Sequence, residues 1–104
     1  MERIVEQTLL FDFYGELLTE HQRRVYEDVV LNDISCSEAA QEYQISRQGV
    51  HDLIRRCNHA LEEYESKLHL MGRFLAVRKK VEQIRRIADD PQIQKISDEI
   101  LEEL

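Results

Sequence analysis

Residues 35–57, SCSEAAQEYQISRQGVHDLIRRC, constrain the fold more than any other stretch, because they leave room for two short helices, a tight turn and little else. Ser35 is placed to cap a first helix, with Glu38 three residues on, the spacing of a capping box. Ala39 and Ala40 are small where two helices must approach closely. Tyr43 and Ile45 bracket the turn and are expected to point inward. Ser46 is a natural cap for the second helix, along which Val50, Leu53, Ile54 and Cys57 recur at threes and fours as one apolar face. Between them lie Arg47, Gln48, His51, Asp52, Arg55 and Arg56, a polar face of the side chains that read base edges and phosphates. This is the pattern of a helix-turn-helix, whose second helix enters the major groove of DNA. Gln44 stands in the turn where glycine is frequent, because positive φ is often needed there. Either the turn carries modest strain or its geometry differs slightly. The plainer alternative is a helical hairpin without a nucleic-acid role.

With 104 residues, one compact domain with a helical extension is expected. The division falls near residue 58: a helix-turn-helix core with its N-terminal helix over 1–58, and a C-terminal helical extension over 59–104 in the same compact unit. Only 1 Pro and 3 Gly occur and 34% of residues are charged, which suits an all-α fold. No run of about eighteen apolar residues exists, so no membrane span is expected. The N-terminus, MERIVEQTLLFDF, carries acids and lacks a small-residue cleavage site. Cys36 and Cys57 make no disulfide framework, and the cytoplasm is the expected compartment.

Net charge is -7, which argues against a generic nucleic-acid-coating protein. Its distribution is more informative. Residues 1–45 carry 3 basic and 10 acidic groups, residues 46–88 carry 10 basic and 5 acidic, and residues 89–104 carry 1 basic and 6 acidic. The positive block begins at the second helix of the motif. An acidic protein can bind DNA through such a patch with few phosphate contacts and modest affinity.

Around the motif the periodicity predicts further helices. Residues 3–17 place Val5, Leu9 and Phe13 on one stripe, with Leu10, Tyr14 and Leu17 beside it, and Gly15 is a weak point near the end. Thr19 and Gln22 have capping-box spacing and open a second helix, Glu20 to Leu31, with Val25, Tyr26, Val29 and Val30 on its apolar face; Asn32 and Asp33 break it. The motif thus gains a supporting helix and becomes a trihelical core. Arg23 and Arg24 on that helix read as solvated arginines or as phosphate contacts.

Beyond Val50 the apolar seam runs on through Ile54, Cys57, Leu61, Tyr64, Leu68, Met71 and Leu75 at alternating fours and threes. The second helix is therefore expected to continue to about Arg73 or beyond, with Gly72 marking a bend or break. Val77, Val81, Ile84 and Ile87 or Ala88 extend an apolar face in shifted phase, between Arg73, Arg78, Lys79, Lys80, Arg85 and Arg86. That basic cluster has three readings: a solvated face, a phosphate contact, or a docking face for an acidic partner, including another copy of the chain. The seam is too long for three short helices to cover, so a two-fold homodimer is expected. Asp90 and Pro91 start a last helix, amphipathic and acidic, with Ile93, Ile96, Ile100 and Leu104; it folds back on the basic helix, docks on a partner, or frays.

Two resemblances follow. LTEHQR from Leu18, SEAA from Ser37, ISRQGV from Ile45 and the later Leu61 resemble the promoter-reading helix-turn-helix of bacterial sigma factors, region four. FDFYGELLT from Phe11, Gln22 with Arg23, ISRQGVHDLIRR from Ile45 and LEEYESKLHL from Leu61 are more closely similar to the YlxM family, small bacterial proteins encoded beside the signal recognition particle GTPase. The resemblance spans about residues 8–88 and not the acidic tail. It implies an all-α, sigma region-four-like fold and a bacterial cytoplasmic regulator or a participant in the signal recognition particle pathway. Carried over by position, Ser46, Arg47, Gln48, His51, Asp52 and Arg55 face the groove.

Nothing in the chain points to catalysis. His21, His51, His59 and His69 do not pair with each other or with a cysteine at metal-ligand spacing; Cys57 and His59 fall on different helix faces. Cys57 belongs to the apolar seam. Cys36 lies in a helix first turn, where a thiolate is mildly favoured, although a plain loop residue is the simpler reading. No Gly-rich phosphate loop or nucleophile elbow occurs, and no cofactor is expected. The leading expectation is a dimeric, non-enzymatic DNA-binding regulator in which Arg47, Gln48 and His51 address bases and Arg55 and Arg56 address phosphates. The alternative is an interaction module for the signal recognition particle GTPase or its RNA, held by the basic face from Arg73 to Arg86.

Overall fold

Each helix in the computed structural model, which describes residues 1–104, begins and ends where local chemistry dictates. The first, α1 (Arg3–Tyr14), tightens at Gly15–Leu17 into a single 3-10 turn and is therefore shorter than its apolar stripe suggests. Thr19 and Gln22 then form a complete capping box. The Gln22 N–H donates to Thr19 Oγ1 at 3.2 Å and the Thr19 N–H to Gln22 Oε1 at 3.1 Å, opening α2 (Glu20–Tyr26). α2 ends in a π turn, Glu27–Leu31, and the chain reverses at Asp33, whose φ is 59°. Ser35 Oγ accepts the Glu38 N–H at 3.1 Å and starts α3 (Cys36–Glu42).

The turn after α3 is a Schellman motif. The Ile45 N–H reaches back to the Ala40 carbonyl at 3.0 Å and the Gln44 N–H to the Gln41 carbonyl at 3.4 Å. Gln44 occupies its left-handed position with φ 56°, so of the two expectations for this turn the strained one holds. Ser46 Oγ then accepts the Gly49 N–H at 2.9 Å and opens α4 (Arg47–Leu68).

α4 corrects the expectation of a helix running to Arg73 or beyond. It stops at Leu68, where His69 takes φ 57°, and α5 (Leu70–Ile87) begins one residue later. Gly72 lies inside α5 and is not the break. Histidine is among the residues that tolerate the left-handed region, so a single residue ends the helix without disturbing the apolar spacing on either side.

The molecule divides at this point into two compact units, Met1–Leu68 and His69–Leu104. The boundary is ten residues past position 58 because Cys57 and Leu61, on the later turns of α4, are fully buried in the first unit. In that unit α2, α3 and α4 enclose Val25, Ala39, Ala40 and Val50, with Ile34, Tyr43, Ile45, Leu53 and Ile54 packed against them. α1 packs on α4; Phe11 stacks on Tyr26 at 5.6 Å between ring centroids, and Tyr14 meets Tyr64 at 6.0 Å. One polar knot ties three helices: the Tyr26 hydroxyl (2.6 Å) and the Gln7 side-chain amide (3.1 Å) both donate to Asn58 Oδ1. α2 and α3 thus cover the start of the seam at Val50 and α1 packs over its stretch from Asn58 to Glu65, while Leu68 stays exposed.

The second unit is a helical hairpin. Asp90 caps α6 (Pro91–Glu103) by accepting the Gln92 N–H at 2.8 Å, with Pro91 at the first helical position. α6 folds back along α5, and Arg85 pairs with Asp98 at 2.6 Å. Of the three fates open to the acidic tail, this is the first.

Candidate nucleic-acid interface

The polar face of α4 is built by the burial of its opposite face. Val50, Cys57 and Leu61 are 0% exposed, so at 3.6 residues per turn their complement must project outward. Ser46, Arg47, Gln48, His51, Arg55 and Arg56 are all exposed and Asp52 is half-buried. The arrangement is a stripe with two edges. Gln48, His51, Asp52 and Arg55 make its centre, while Arg47 and Arg56 stand about 180° apart on its flanks.

Asp52 organises the centre. Its Oδ1 accepts from Gln48 Nε2 at 3.2 Å and from Arg55 through a short ion pair. Asp52 therefore positions its neighbours and is itself committed within the helix, whereas Arg47, His51 and Arg56 make no ion pair. Arg47, at the first position of α4, opposes the helix dipole, which favours anions at an N-terminus. No acid sits in the first turn to offset this. The cost is recovered when an anion such as phosphate approaches that end. Past His59 the exposed face turns acidic with Glu62 and Glu63, so the positive surface is confined to the N-terminal half.

Two open grooves flank the stripe. One, about 450 Å³, is lined by Arg3, Cys36, His51, Arg55, Asn58 and His59 among others. Here the Cys36 sulfur lies 4.0 Å from His51 Nδ1, and Arg3 pairs with Glu62 at 3.0 Å. The other runs past Thr19, His21, Gly49 and Arg56, where His21 meets the Tyr43 ring edge-on at 5.8 Å. Tyr43 in turn donates its hydroxyl proton to Asp28 Oδ2 at 2.5 Å, which pushes the phenol up to about 12. Burial has the same effect on Tyr26, to about 12, and on the Cys57 thiol, to about 11.

Arg3 and the Cys36–His51 contact were not apparent from the sequence. Cys36 and His51 sit on different helices of the motif, and no spacing rule relates them. The Gln48–Asp52–Arg55 cluster has the four- and three-residue offsets of one helix face and was available from spacing alone.

The second basic cluster lies in the other unit. Arg78 stacks over Phe74 at 5.3 Å and approaches Glu82 at 3.9 Å, and Arg85 is taken by Asp98. Arg73, Lys79, Lys80 and Arg86 are exposed and make no ion pair. The six cations therefore surround α5 and do not form one face.

No group of three or more His, Cys, Asp or Glu is placed to hold a metal ion, and no helix is long and apolar enough to cross a membrane. Residues 1–103 match the model of a family described as "Putative helix-turn-helix protein, YlxM / p13 like". Among curated proteins, the chain is 43% identical to the UPF0122 protein of Thermoanaerobacter sp. strain X514, over 93% of this chain and 89% of that one. It is 42% identical to the UPF0122 protein of Shouchella clausii, over 90% and 87%. It is 38% identical to that of Bacillus licheniformis, over 94% and 92%.

Proposed function

We propose, for a chain that belongs to the YlxM/p13-like helix-turn-helix family, that it is a non-enzymatic regulator which binds DNA as a dimer through the N-terminal half of α4. The observation that carries this reading is the exposed stripe from Arg47 to Arg56 on a helix whose opposite face is fully buried. Arg47, Gln48 and His51 address base edges, Arg55 and Arg56 address phosphates, and Ser46 and Asp52 set the start and side-chain geometry of the helix. The few cations on this face favour modest affinity that weakens as salt rises, with a slope set by the small number of phosphates contacted. Selection of bound fragments from random DNA tests the reading. The wild type enriches a sequence, and Arg47→Ala with Gln48→Ala relaxes that preference.

A second reading draws on α5. Lys79 and Arg86 are exposed and unpaired on the same side of that helix, which suits an acidic partner such as the signal recognition particle RNA or its GTPase. Charge reversal at Lys79 and Arg86 abolishes such binding, and substitutions at Arg47 and Gln48 leave it intact.

A further inference from the structure

The hairpin of α5 and α6 leaves more apolar surface open than it covers. Only Val81 and Ser97 are buried in it. Val77, Ile84, Ile93, Ile96, Ile100 and Leu104 are 39–55% exposed. Their placement is orderly. At about 100° per residue, Val77 and Ile84 are rotated some 40–60° from Val81, and Ile93 and Ile100 are rotated by about the same angle, in the same sense, from Ser97. In an antiparallel pair, equal rotations in one sense bring both stripes to the same side of the hairpin. The result is one continuous apolar face on a two-helix layer, the half of a four-helix bundle.

The rims of this face carry opposite charge. Lys80 borders it on α5, and Glu99 and Glu103 border it on α6; Arg73 lies past the level at which α6 ends. Over its full length α5 holds six cations and one acid, and α6 holds one cation and four acids.

We infer that this face is covered by the same face of a second copy of the chain, with α5 of each copy lying over α6 of the other. Two two-fold arrangements can stack the faces. An axis perpendicular to the helices puts α5 on α5 and sets like charges together. An axis parallel to the helices puts α5 on α6, so that the basic rim meets the acidic rim. Charge selects the second. That axis also preserves height along the helices, which fixes the register. The Arg85–Asp98 pair marks one level of the hairpin; five residues back on α5 and five forward on α6 bring Lys80 level with Glu103. Lys80 of one copy therefore faces Glu103 of the other, twice across the axis. Lys79 and Arg86 remain outside the interface. The inference deepens the dimer named under the proposed function and is independent of DNA.

Sedimentation equilibrium of the complete chain without nucleic acid tests it. The wild type is a dimer at micromolar concentration. Ile84→Glu with Ile100→Glu is a monomer of unchanged helicity by circular dichroism. Lys80→Glu weakens the dimer about tenfold, equivalent to about 1.4 kcal/mol, and adding Glu103→Lys restores it. A monomeric wild type, as when the face is occupied within the chain or by a different protein, overturns the inference. So does a dimer that survives the isoleucine changes, or a Lys80→Glu defect that the reciprocal change fails to rescue. None of these outcomes bears on sequence-selective DNA binding, which is measured separately.

Discussion

The sulfur of Cys36, at the start of α3, lies 4.0 Å from Nδ1 of His51, on the second turn of α4. The contact joins the two helices of the motif at the edge of its exposed face, and it makes Cys36 a reporter for that face. The other thiol, Cys57, is fully buried and pushed up to about 11.

A thiol-alkylating reagent should therefore distinguish the two. Burial pushes the Cys57 thiol up to about 11, so it forms little thiolate, and the same burial denies the reagent access. Mass spectrometry of the folded protein is expected to show Cys36 modified and Cys57 unmodified. Bound DNA should slow modification of Cys36. Equal labelling of both thiols contradicts the packing of α4, and unprotected Cys36 in a DNA complex contradicts its position beside the groove.

The turn of the motif carries a removable strain. Gln44 sits at φ 56°, a region that costs a residue with a Cβ about 1–2 kcal/mol, against about 0.5–1 kcal/mol of extra chain entropy for glycine. Gln44→Gly is expected to stabilise by up to about 1 kcal/mol, a rise in Tm of roughly 4–8 °C per kcal/mol for a unit of this size. A clearly lower Tm in a thermal melt would count against the left-handed assignment.

Tyr26 is the hub of the first unit, stacked on Phe11 and bonded to Asn58. Tyr26→Phe keeps the stack and removes the hydroxyl. The expected loss is about 0.5–1.5 kcal/mol, because Gln7 still donates to Asn58. Leu61→Ala opens a cavity under the same helix and should cost about 2–5 kcal/mol. Urea midpoints at constant m-value give both numbers, and a larger loss in Tyr26→Phe than in Leu61→Ala would reverse the account of what holds α1 to α4.

Alkaline stability follows from the buried Tyr26 and Cys57 and from Tyr43, which is bonded to Asp28. Tyr26 and Tyr43 rise from 10.0 to about 12, and Cys57 from 9.0 to about 11. Each raised value favours the neutral form in the folded state, so its contribution is complete below the unfolded value and is lost as pH climbs to the folded one. Stability should be flat up to pH 9 and decline between pH 9 and about 12. In Cys57→Ala, less stable throughout, the decline should begin nearer pH 10. A decline that began at neutral pH would require other groups.

Much of this was legible from residue type and spacing. Thr19, Ser35, Ser46 and Asp90 cap the helices they appeared to cap, because capping needs only a short polar side chain at the right step. The trihelical core followed from the apolar stripes on α2 and α4. The break at His69 was hidden because Leu68 and Met71 keep the spacing of a continuous seam while one residue turns left-handed between them. The packing over the later turns of α4 was hidden for a different reason: part of it comes from α1, more than forty residues away, and the same apolar stripe would serve a partner equally well. Within the candidate site, offsets along α4 were readable and contacts across helices, such as Cys36 with His51, were not.

The central claim is that the exposed stripe of α4 reads DNA sequence. The most direct test is selection from a random DNA pool at two salt concentrations, run in parallel with wild type and with Arg47→Ala plus Gln48→Ala. The account predicts that the wild type enriches a defined sequence, that binding weakens as salt rises, and that the double variant retains weak binding with its preference relaxed. Enrichment of the same sequence by both proteins, or no enrichment by the wild type at either salt, would contradict it.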